Sequence, residues 1–331
     1  MMSVVSLMLA TIMMTSASFA WFTISTAPEV SNVITKMAAN NNLEIMLDNG
    51  YDATTAVAAA RTLDPDTGAS ANTNALRNNY WGNLVDLDSF FKQAESNGGT
   101  MKDLVLKPVI ATEDATNKKI DFATPKFALD GRIDGKTDLF SRTADKGVRL
   151  YAEGATEADV KKCYAVAIDL WLRTNTDGVK VNLGAKAQRG DSAGEEGLGS
   201  WITNDKITVK IVDTDNGTVY TAKHGTIDTD NRYPLTLTTA STGEGGVVTY
   251  TDATIDLTQN VAKKITVYVY MDGATLTNAD FEKEAKDVML NLQFVDSASK
   301  VTAANALQVT EDNKYGRTTE TIPAAYPAPT T

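Results

Sequence analysis

Short runs in which apolar and polar residues alternate recur along most of this chain. Such runs, rich in Val, Ile, Thr and Tyr and bounded by Asp, Asn, Gly or Pro, predict β-strands. They cover residues 43–47, 104–106, 119–122, 148–151, 164–173, 179–183, 206–213, 218–222, 235–239, 247–257, 264–271 and 288–295. Beyond the N-terminus, helical signals are confined to residues 52–61 and 155–162. Many closely spaced strands with a few short helices predict a mainly β fold, an antiparallel β-sandwich of the jelly-roll kind.

Turn residues predict which of these strands are neighbours. Asp215-Asn216-Gly217 separates the runs 206–213 and 218–222, and an Asn-Gly dipeptide between two strands is a strong hairpin signal. Asn175-Thr176-Asp177-Gly178 follows the apolar run that ends at Arg173. By the same argument, residues 164–173 are predicted to pair with residues 179–183.

The first 27 residues differ from the rest of the chain because they carry no charge. The first charged residue is Glu29, although 22% of the chain is charged. Residues 4–14 are almost wholly apolar, and small residues and then the aromatic pair Trp21 and Phe22 follow them. Soluble monomers rarely expose so large an apolar surface. The segment is therefore predicted to be cleaved, to enter a membrane, or to be buried against other copies of the chain.

Each of these three hypotheses has its own signature. An apolar run of about 11 residues followed by the small residues Ser18 and Ala20 is typical of a secretory signal peptide. The basic region that should precede such a run is missing, since no Lys or Arg occurs before Lys36. This favours a helix that is retained in the core of a polymer after an earlier leader has been removed. A transmembrane anchor needs roughly 20 apolar residues, more than this run offers. All three hypotheses place the rest of the chain outside the cytoplasm.

The predicted organisation is therefore an N-terminal segment, residues 1–27, followed by a β-sandwich body, residues 28–331. A body of this size can bury a substantial core. Residues 62–79 are rich in Asp, Ala, Thr, Asn and Gly, which predicts a long loop insertion around residues 52–100.

The charge and the cysteine content exclude several classes of partner and site. A net charge of −11 argues against nucleic acid or an anionic membrane as a partner, because both require basic patches. The single cysteine, Cys163, allows no internal disulfide. Its neighbours in sequence are apolar, which predicts that Cys163 is buried and packs as a small apolar side chain. One His and one Cys cannot supply the three or four nitrogen and sulfur ligands of a zinc site.

The sequence does not contain a convincing catalytic set. Residues 190–194 match G-x-S-x-G around Ser192, but a serine nucleophile needs a histidine base. The only histidine, His224, follows Ser192, which is the wrong order for a trypsin-like enzyme, and it is predicted to be a solvated hairpin residue. Nothing singles out a carboxylate pair for glycoside hydrolysis. We predict that the protein is not an enzyme, with a glycosidase or a serine hydrolase as the enzymatic alternatives.

Two Asp-rich turns are the candidates for a calcium site. Asp213 and Asp215, and again Asp228 and Asp230, offer alternating carboxylates of the kind that calcium prefers. The first turn lacks the closing Glu of an EF-hand loop, and the second contains Arg232. Asx-rich turns also occur between strands for backbone reasons alone. We therefore predict no cofactor, with calcium as the alternative.

Three motifs occur in order near the start of the chain: Ala20-Trp21-Phe22-Thr23 after small residues, Asn32-Val33-Ile34-Thr35, and Leu43-Glu44-Ile45 in a predicted strand. This combination resembles the start of the TasA/camelysin-like proteins, which Gram-positive bacteria secrete. It implies a β-sandwich subunit of extracellular matrix fibres, such as those of biofilms, in which a strand donated by one subunit joins the next. Type IV pilins also keep an uncharged N-terminal helix, but this chain has Val5 where bacterial pilins usually carry Glu.

We therefore expect a structural subunit of an extracellular or cell-surface filament, a homopolymer that contacts a membrane only during secretion or assembly. Polymerisation is expected to occur through the apolar N-terminal segment, either as a bundled helix or as a donated strand. The residues expected to carry it are Val4, Val5, Leu7, Leu9, Ile12, Trp21, Phe22 and Ile24. The alternative hypothesis is a monomeric secreted adhesin or carbohydrate-binding β-sandwich module.

Overall fold

The protein is a mainly β structure, as the sequence predicts. The computed structural model describes residues 30–31, 33–39, 43–48, 50–58, 81, 84–87, 105–127, 133–145, 147–154, 163–184, 199–243, 247–273 and 288–297. Of these residues, 64% lie in strands and 3% are helical. No helix in this part of the chain is long and apolar enough to cross a membrane.

The strands are β1 (Val30–Ser31), β2 (Val33–Ala39), β3 (Leu43–Leu47), β4 (Leu84–Asp86), β5 (Val105–Leu106), β6 (Pro108–Asp114), β7 (Lys119–Phe127), β8 (Ile133–Asp138), β9 (Phe140–Asp145), β10 (Val148–Ala152), β11 (Ala165–Thr174), β12 (Lys180–Leu183), β13 (Trp201–Ile202), β14 (Ile207–Asp213), β15 (Val219–His224), β16 (Tyr233–Thr242), β17 (Val248–Asp252), β18 (Ile255–Asp256), β19 (Lys263–Asp272) and β20 (Val288–Asp296). The helix α1 (Ala53–Ala58) falls within the predicted helix at residues 52–61.

Two arrays of hydrogen-bonded strands share β16. In the first array the order is β11-β19-β14-β15-β16-β17. On the other edge of β11, β10 pairs with the first half of the strand and β3 with the second half. In the second array β20 pairs with β2 on one edge and with β12 and β13 on the other, and β13 pairs with the start of β16. Most pairs are antiparallel, and the described pairings do not return to their starting strand, so the sheet is open.

The two arrays bury their apolar residues in one core. Along β11 the residues that belong to this core alternate, as expected for a strand with one face toward it. From the first array it takes Val166, Ile168, Leu170, Leu172, Ile265, Val267, Val269, Ile207, Val209 and Ile211, and from the second Met37, Leu290, Leu292, Phe294, Val181 and Leu183. The side chains of this core therefore come from strands that are far apart in sequence and that both arrays contribute.

A smaller antiparallel sheet, β6-β7-β8, covers part of the opposite face of the first array. Phe122 of β7 contacts Tyr151 and Tyr270, with ring centroids 4.8 and 5.0 Å apart in edge-to-face geometry. All ten residues of β11 are consequently buried. This accounts for the nearly continuous apolar sequence of that strand, because both of its faces lie in apolar surroundings.

The hairpin prediction at Asn216-Gly217 is confirmed, whereas the hairpin predicted at Asn175–Gly178 is wrong. β14 and β15 pair as predicted, and Gly217 has a φ of +80° in their turn. β12, however, pairs with β18 and β20 and makes no ladder with β11. Both edges of β11 are occupied by β10, β3 and β19. The turn therefore carries the chain from one array to the other.

Several other strands differ from the predicted ones in extent, and some were not predicted. Residues 247–257, predicted as one strand, form β17 and β18 with a break between them. Residues 108–114 and 133–145, for which no strand was predicted, form β6, β8 and β9. These segments are more polar than the core strands, because much of their surface is exposed. The predicted helical turn at 155–162 lies outside the described residues.

The strand directions define two opposite ends of the body. β20 runs parallel to β2, β13 runs antiparallel to β20, and β16 runs antiparallel to β13. β16 therefore begins at the end where β2 begins, and finishes at the opposite end. We call these the N-terminal end, where β2 begins, and the arm end, where β16 meets β17.

Candidate functional site

The chain that follows the apolar N-terminal segment is fixed in the body from its first described residues. Val30 and Ser31 of β1 pair with Leu106 and Val105 of β5. β2 then pairs along all seven of its residues with β20, in parallel, and also pairs with β4. The candidate assembly residues Val4 to Ile24 lie outside the described residues. The first described residues after them, Val30 and Ser31, come just before β2, at the N-terminal end of the body.

At the opposite end, β16 and β17 form a hairpin that extends past the neighbouring strand. β15 pairs with β16 only as far as Thr238, whereas β17 continues the pairing to Thr242. We call residues 239–243 and 247–252 the arm. All of its residues are exposed except Thr239, which is partly exposed. The arm therefore stands clear of the body on more than one side.

The arm exposes apolar side chains. Val247 is 65% exposed, Val248 46% and Tyr250 43%. On β17, Val248 and Tyr250 are two residues apart and share one face, while Thr249 and Thr251 face the other way. Isolated apolar residues are common on surfaces, but several together on one projecting element indicate an interaction surface.

The outer edge of β17 also presents backbone hydrogen-bonding groups. The Gly243 N–H donates to the Val247 carbonyl, and the Ala253 N–H donates to the Leu237 carbonyl. Hydrogen-bonded pairs alternate along an antiparallel ladder, so Thr249 and Thr251 direct their backbone groups toward β16. The groups of Val248 and Tyr250 point away, and no described strand pairs with that edge. β17 contains no Lys or Pro, the usual protection of an edge strand.

The N-terminal end carries a second exposed apolar pair. Ile227, in the β15–β16 loop, is 45% exposed, and Met289, at the start of β20, is 38% exposed. Met289 is held by Thr203, which donates its N–H to the Met289 carbonyl and accepts the Met289 N–H at Oγ1. Beside them Arg232 stacks on Trp201, with the guanidinium 4.0 Å from the ring centroid.

The calcium candidates are engaged with groups of the protein itself. The Lys263 ammonium lies 2.8 Å from Asp213 Oδ2 and 3.7 Å from Asp215 Oδ2. The other oxygen of Asp213 accepts the Asp215 N–H. In the second turn, Asp228 Oδ1 accepts the N–H groups of Asp230 and Arg232. A lysine between two carboxylates supplies the positive charge that calcium would bring.

His224 is partly buried, so the prediction that it is solvated is wrong. Its ring lies 6.0 Å from that of Tyr233, and burial, the largest influence, lowers the pKa of His224 below its usual value. Ser192 lies outside the described residues. The ends of its glycine-rich loop meet, because the Ser200 N–H donates to the Gly184 carbonyl at 2.8 Å.

Charged residues within apolar strands form ion pairs that sequence reasoning missed. Arg149 holds Asp169 through two hydrogen bonds of 2.8 and 3.0 Å, and Thr266 donates a third to Asp169 at 2.7 Å. Burial opposes the charge on Arg149, but its hydrogen bonds and attraction to Asp169 outweigh burial and raise the pKa of the guanidinium. The isolated Asp169 in an apolar strand was the available signal.

A further pair of contacts joins β3 to β11 and β19. Lys264 lies 2.6 Å from Asp48 Oδ2, and the Trp171 indole N–H donates to Asp48 Oδ1 at 2.9 Å. These contacts tie three strands together. Within the described part of the chain, no group of three or more His, Cys, Asp or Glu side chains is arranged to hold a metal ion.

Comparison of the chain with protein-family models, with curated proteins and with solved structures finds no match. The resemblance to the TasA/camelysin-like proteins therefore stays a prediction from the N-terminal residues.

Proposed function

We propose that this protein is a structural subunit of an extracellular, cell-surface filament, and that it polymerises through residues 1–27. In this proposal the body is a β-sandwich of the jelly-roll kind, with the two arrays as its layers. The observation that carries the proposal is the attachment of the apolar segment. The chain after it pairs first with β5, as β1, and then with β20 along the full length of β2.

This attachment suits a subunit that bears tension. A force applied through the N-terminal segment would pass through β1 and its pairing with β5 and then reach β2. The ladder between β2 and β20 would then be loaded in shear, so that its hydrogen bonds resist together. β2 also contributes Met37 to the common core. The segment is thus connected to the most buried part of the molecule.

The opposite positions of the segment and the arm support a head-to-tail arrangement. A contact between different surfaces of two copies leaves one surface of each kind open, so it generates an open polymer when the rotation between copies does not close a ring. The N-terminal segment, whether a helix or a donated strand, would leave each subunit at one end and reach the next subunit in line. Val4, Val5, Leu7, Leu9 and Ile12 would supply the buried apolar surface, with Trp21, Phe22 and Ile24 at the junction.

Electron microscopy and sedimentation of matched variants test the proposal. Leu9→Lys places a charge inside the apolar run, and Leu9→Met is the control of similar volume and polarity. We expect Leu9→Met to form filaments and Leu9→Lys to remain monomeric with an unchanged melting temperature of the body. If the mature chain retains residue 9, normal filaments from Leu9→Lys would refute polymerisation through this segment; if the mature chain starts at Trp21, the variant Trp21→Ala with Phe22→Ala provides the test.

Mass spectrometry of the mature protein addresses the form of the segment. A chain that retains residues 1–20 favours the helical form, whereas a mature chain that starts at Trp21 favours strand donation. The monomeric adhesin hypothesis predicts instead that the mature wild-type protein stays monomeric at all accessible concentrations.

A further inference from the structure

We propose that Lys263 and Asp213 become joined by an intramolecular amide bond, which forms in the folded subunit from their ammonium and carboxylate groups. The bond would link β19 to β14, two neighbouring strands of the first array. Asp215, in the turn after β14, would carry the proton that the reaction moves. The inference is independent of the proposed filament, because a single folded chain contains every group that takes part.

The first argument is the position of the two reacting side chains at the border of the common core. Asp213 is two residues from Ile211 on β14, so the two side chains share a face, and Ile211 belongs to the core. The same holds for Lys263 and Ile265 on β19. The Asp213 side chain is 1% exposed and that of Lys263 is 18% exposed. Lys263 Nζ lies 2.8 Å from Asp213 Oδ2, and this oxygen is bonded to the carbon that the amine would attack.

The second argument is that backbone hydrogen bonds hold the reacting groups in place. Thr214 donates to the Lys264 carbonyl through its N–H at 3.2 Å and through its hydroxyl at 3.0 Å. The Asp213 N–H donates to the Thr218 carbonyl, and the Asp213 carbonyl accepts the Gly217 N–H. Well-oriented groups in one molecule reach effective concentrations of about 10⁵–10⁸ M. These values exceed the concentration of water, so condensation proceeds although water is its product.

The third argument is the set of groups around the carboxylate of Asp213. Its Oδ1 accepts the Asp215 N–H at 2.9 Å, so the negative charge that develops on this oxygen during attack meets a hydrogen-bond donor. The Asp215 carboxylate lies 3.7 Å from Lys263 Nζ, and its side chain is 60% exposed, so it exchanges protons with water. The cluster therefore combines a nucleophile, an electrophilic carbon, a donor for the oxyanion and a proton carrier.

The reaction balances without a co-reactant. Lys263 passes one ammonium proton to Asp213 Oδ2, and the neutral amine then attacks Asp213 Cγ to form a carbon–nitrogen bond. A second proton moves from the nitrogen through Asp215 to the same Oδ2, the Cγ–Oδ2 bond breaks, and water departs. One of the three ammonium protons stays on the amide, two leave in the water, and Asp215 regains its charge. A neutral amide thus replaces two charges at the border of the core, where charges are unfavourable.

Mass spectrometry of the denatured full chain tests the bond. We expect the wild-type chain to be lighter than its sequence requires by the mass of one water molecule. Tryptic digestion should yield a branched peptide that joins residues 211–223 to residues 233–264, because trypsin does not cleave after an acylated lysine. A wild-type chain of full mass would overturn the inference.

Two variants assign the bond to these side chains. Lys263→Arg keeps a cation beside both carboxylates but cannot form this amide. We expect it to have full mass and to melt at a lower temperature than the wild-type protein, since a covalent link restricts the unfolded chain. Asp215→Asn keeps the size of the side chain and removes its base. We expect it to fold and to form the branched peptide about 10²-fold more slowly. The wild-type rate in Asp215→Asn would overturn its role as proton carrier.

An exposed ion pair of the same length is the internal control. Lys180 Nζ lies 2.8 Å from Asp256 Oδ1, but these side chains are 57% and 71% exposed. We expect no branched peptide from this pair, and a branch there would overturn the importance of burial. A water loss that persists in Lys263→Arg would overturn the assignment to Lys263. A succinimide would do the same, because it also forms with loss of water but gives no branched peptide.

Discussion

Arg173 and Glu44 form a buried ion pair on neighbouring strands of the first array. Arg173 Nε and Nη2 each lie 2.7 Å from Glu44 Oε2, and the two side chains are 0% and 9% exposed. The guanidinium also lies 4.3 Å from the centroid of Trp81. Trp81 in turn donates its indole N–H to the Ala56 carbonyl of α1 at 2.6 Å. Arg173 therefore connects β3, β11 and the covering segment around α1.

Replacement of one member of this pair should be far more costly than replacement of both. Arg173→Met leaves the Glu44 carboxylate buried without its cation, and we expect a loss of about 3–5 kcal/mol of unfolding free energy. The double variant Arg173→Met, Glu44→Met should recover most of this loss, because two apolar side chains replace two charges. Urea unfolding of the wild-type protein, Arg173→Met and the double variant measures how much of the lost stability is recovered. Equal losses in the single and double variants would contradict the expectation.

Two glycines in the left-handed region provide a matched test of close packing. Gly147 has a φ of +72°, and a Cβ there would lie 2.7 Å from Leu47 Cγ and 2.8 Å from the Asp48 carbonyl oxygen. Gly178 has a φ of +68° with nothing within 4 Å of such a Cβ. Gly178→Ala should cost about 1 kcal/mol through backbone strain alone.

Gly147→Ala should add an overpacking cost of about 1–3 kcal/mol to the same backbone strain. Thermal melts of the two variants, compared with the wild-type protein, measure the difference. Similar melting temperatures for Gly147→Ala and Gly178→Ala would show that the backbone around Asp48 adjusts easily.

Cys163 should be unreactive in the folded protein. Burial raises the pKa of its thiol to about 12, and the thiol donates a hydrogen bond to the Ala165 carbonyl. The thiol therefore stays protonated at neutral pH, whereas the thiolate is the reactive form. We expect a chromogenic disulfide reagent at pH 8 to label the protein only at the rate of unfolding. Rapid labelling without denaturant would disprove the burial of this side chain.

The same pKa shift predicts loss of stability at alkaline pH. A folded-state pKa above the unfolded value means that the folded chain holds its proton more tightly. The contribution of Cys163 is therefore complete below the unfolded pKa of about 9 and is lost as pH rises toward about 12. Burial raises the pKa of Tyr268 and Tyr270 as well, which adds to the loss. Cys163→Ala should destabilise less at pH 10.5 than at pH 8.

The aromatic pair Trp21 and Phe22 should act on assembly more than on the fold. In a polymer the burial of these rings repeats at every interface and could supply several kcal/mol per contact, about 1.5–3 per large side chain. Trp21→Ala with Phe22→Ala should raise the critical concentration for filament growth and leave the melting temperature of residues 28–331 nearly unchanged. A protein that melts far lower and still polymerises would place these rings in the subunit's own core.

Local patterns were enough to predict that the fold is mainly β and where many of the strands lie. The run at 43–47 forms β3 with the predicted bounds, and Asn216-Gly217 closes the β14–β15 hairpin as predicted. Both features depend on residues close in sequence, so the alternation of apolar and polar residues and the type of turn residue are enough to predict them. The apolar, uncharged N-terminal segment is likewise a property of the sequence alone, and the proposed function begins from it.

Tertiary structure decided the partners of the strands and therefore the candidate surfaces. The turn at Asn175–Gly178 suggested a hairpin, but the partners of β11 are β3, β10 and β19, two of which, β3 and β19, are distant from it in sequence. Arg173 and Glu44 are 129 residues apart in sequence, so no local pattern could pair them. Val248 is as apolar as the valines of the core, yet it is 46% exposed on the arm. Alternation identifies the two faces of a strand, whereas the strands packed around it determine which face meets water.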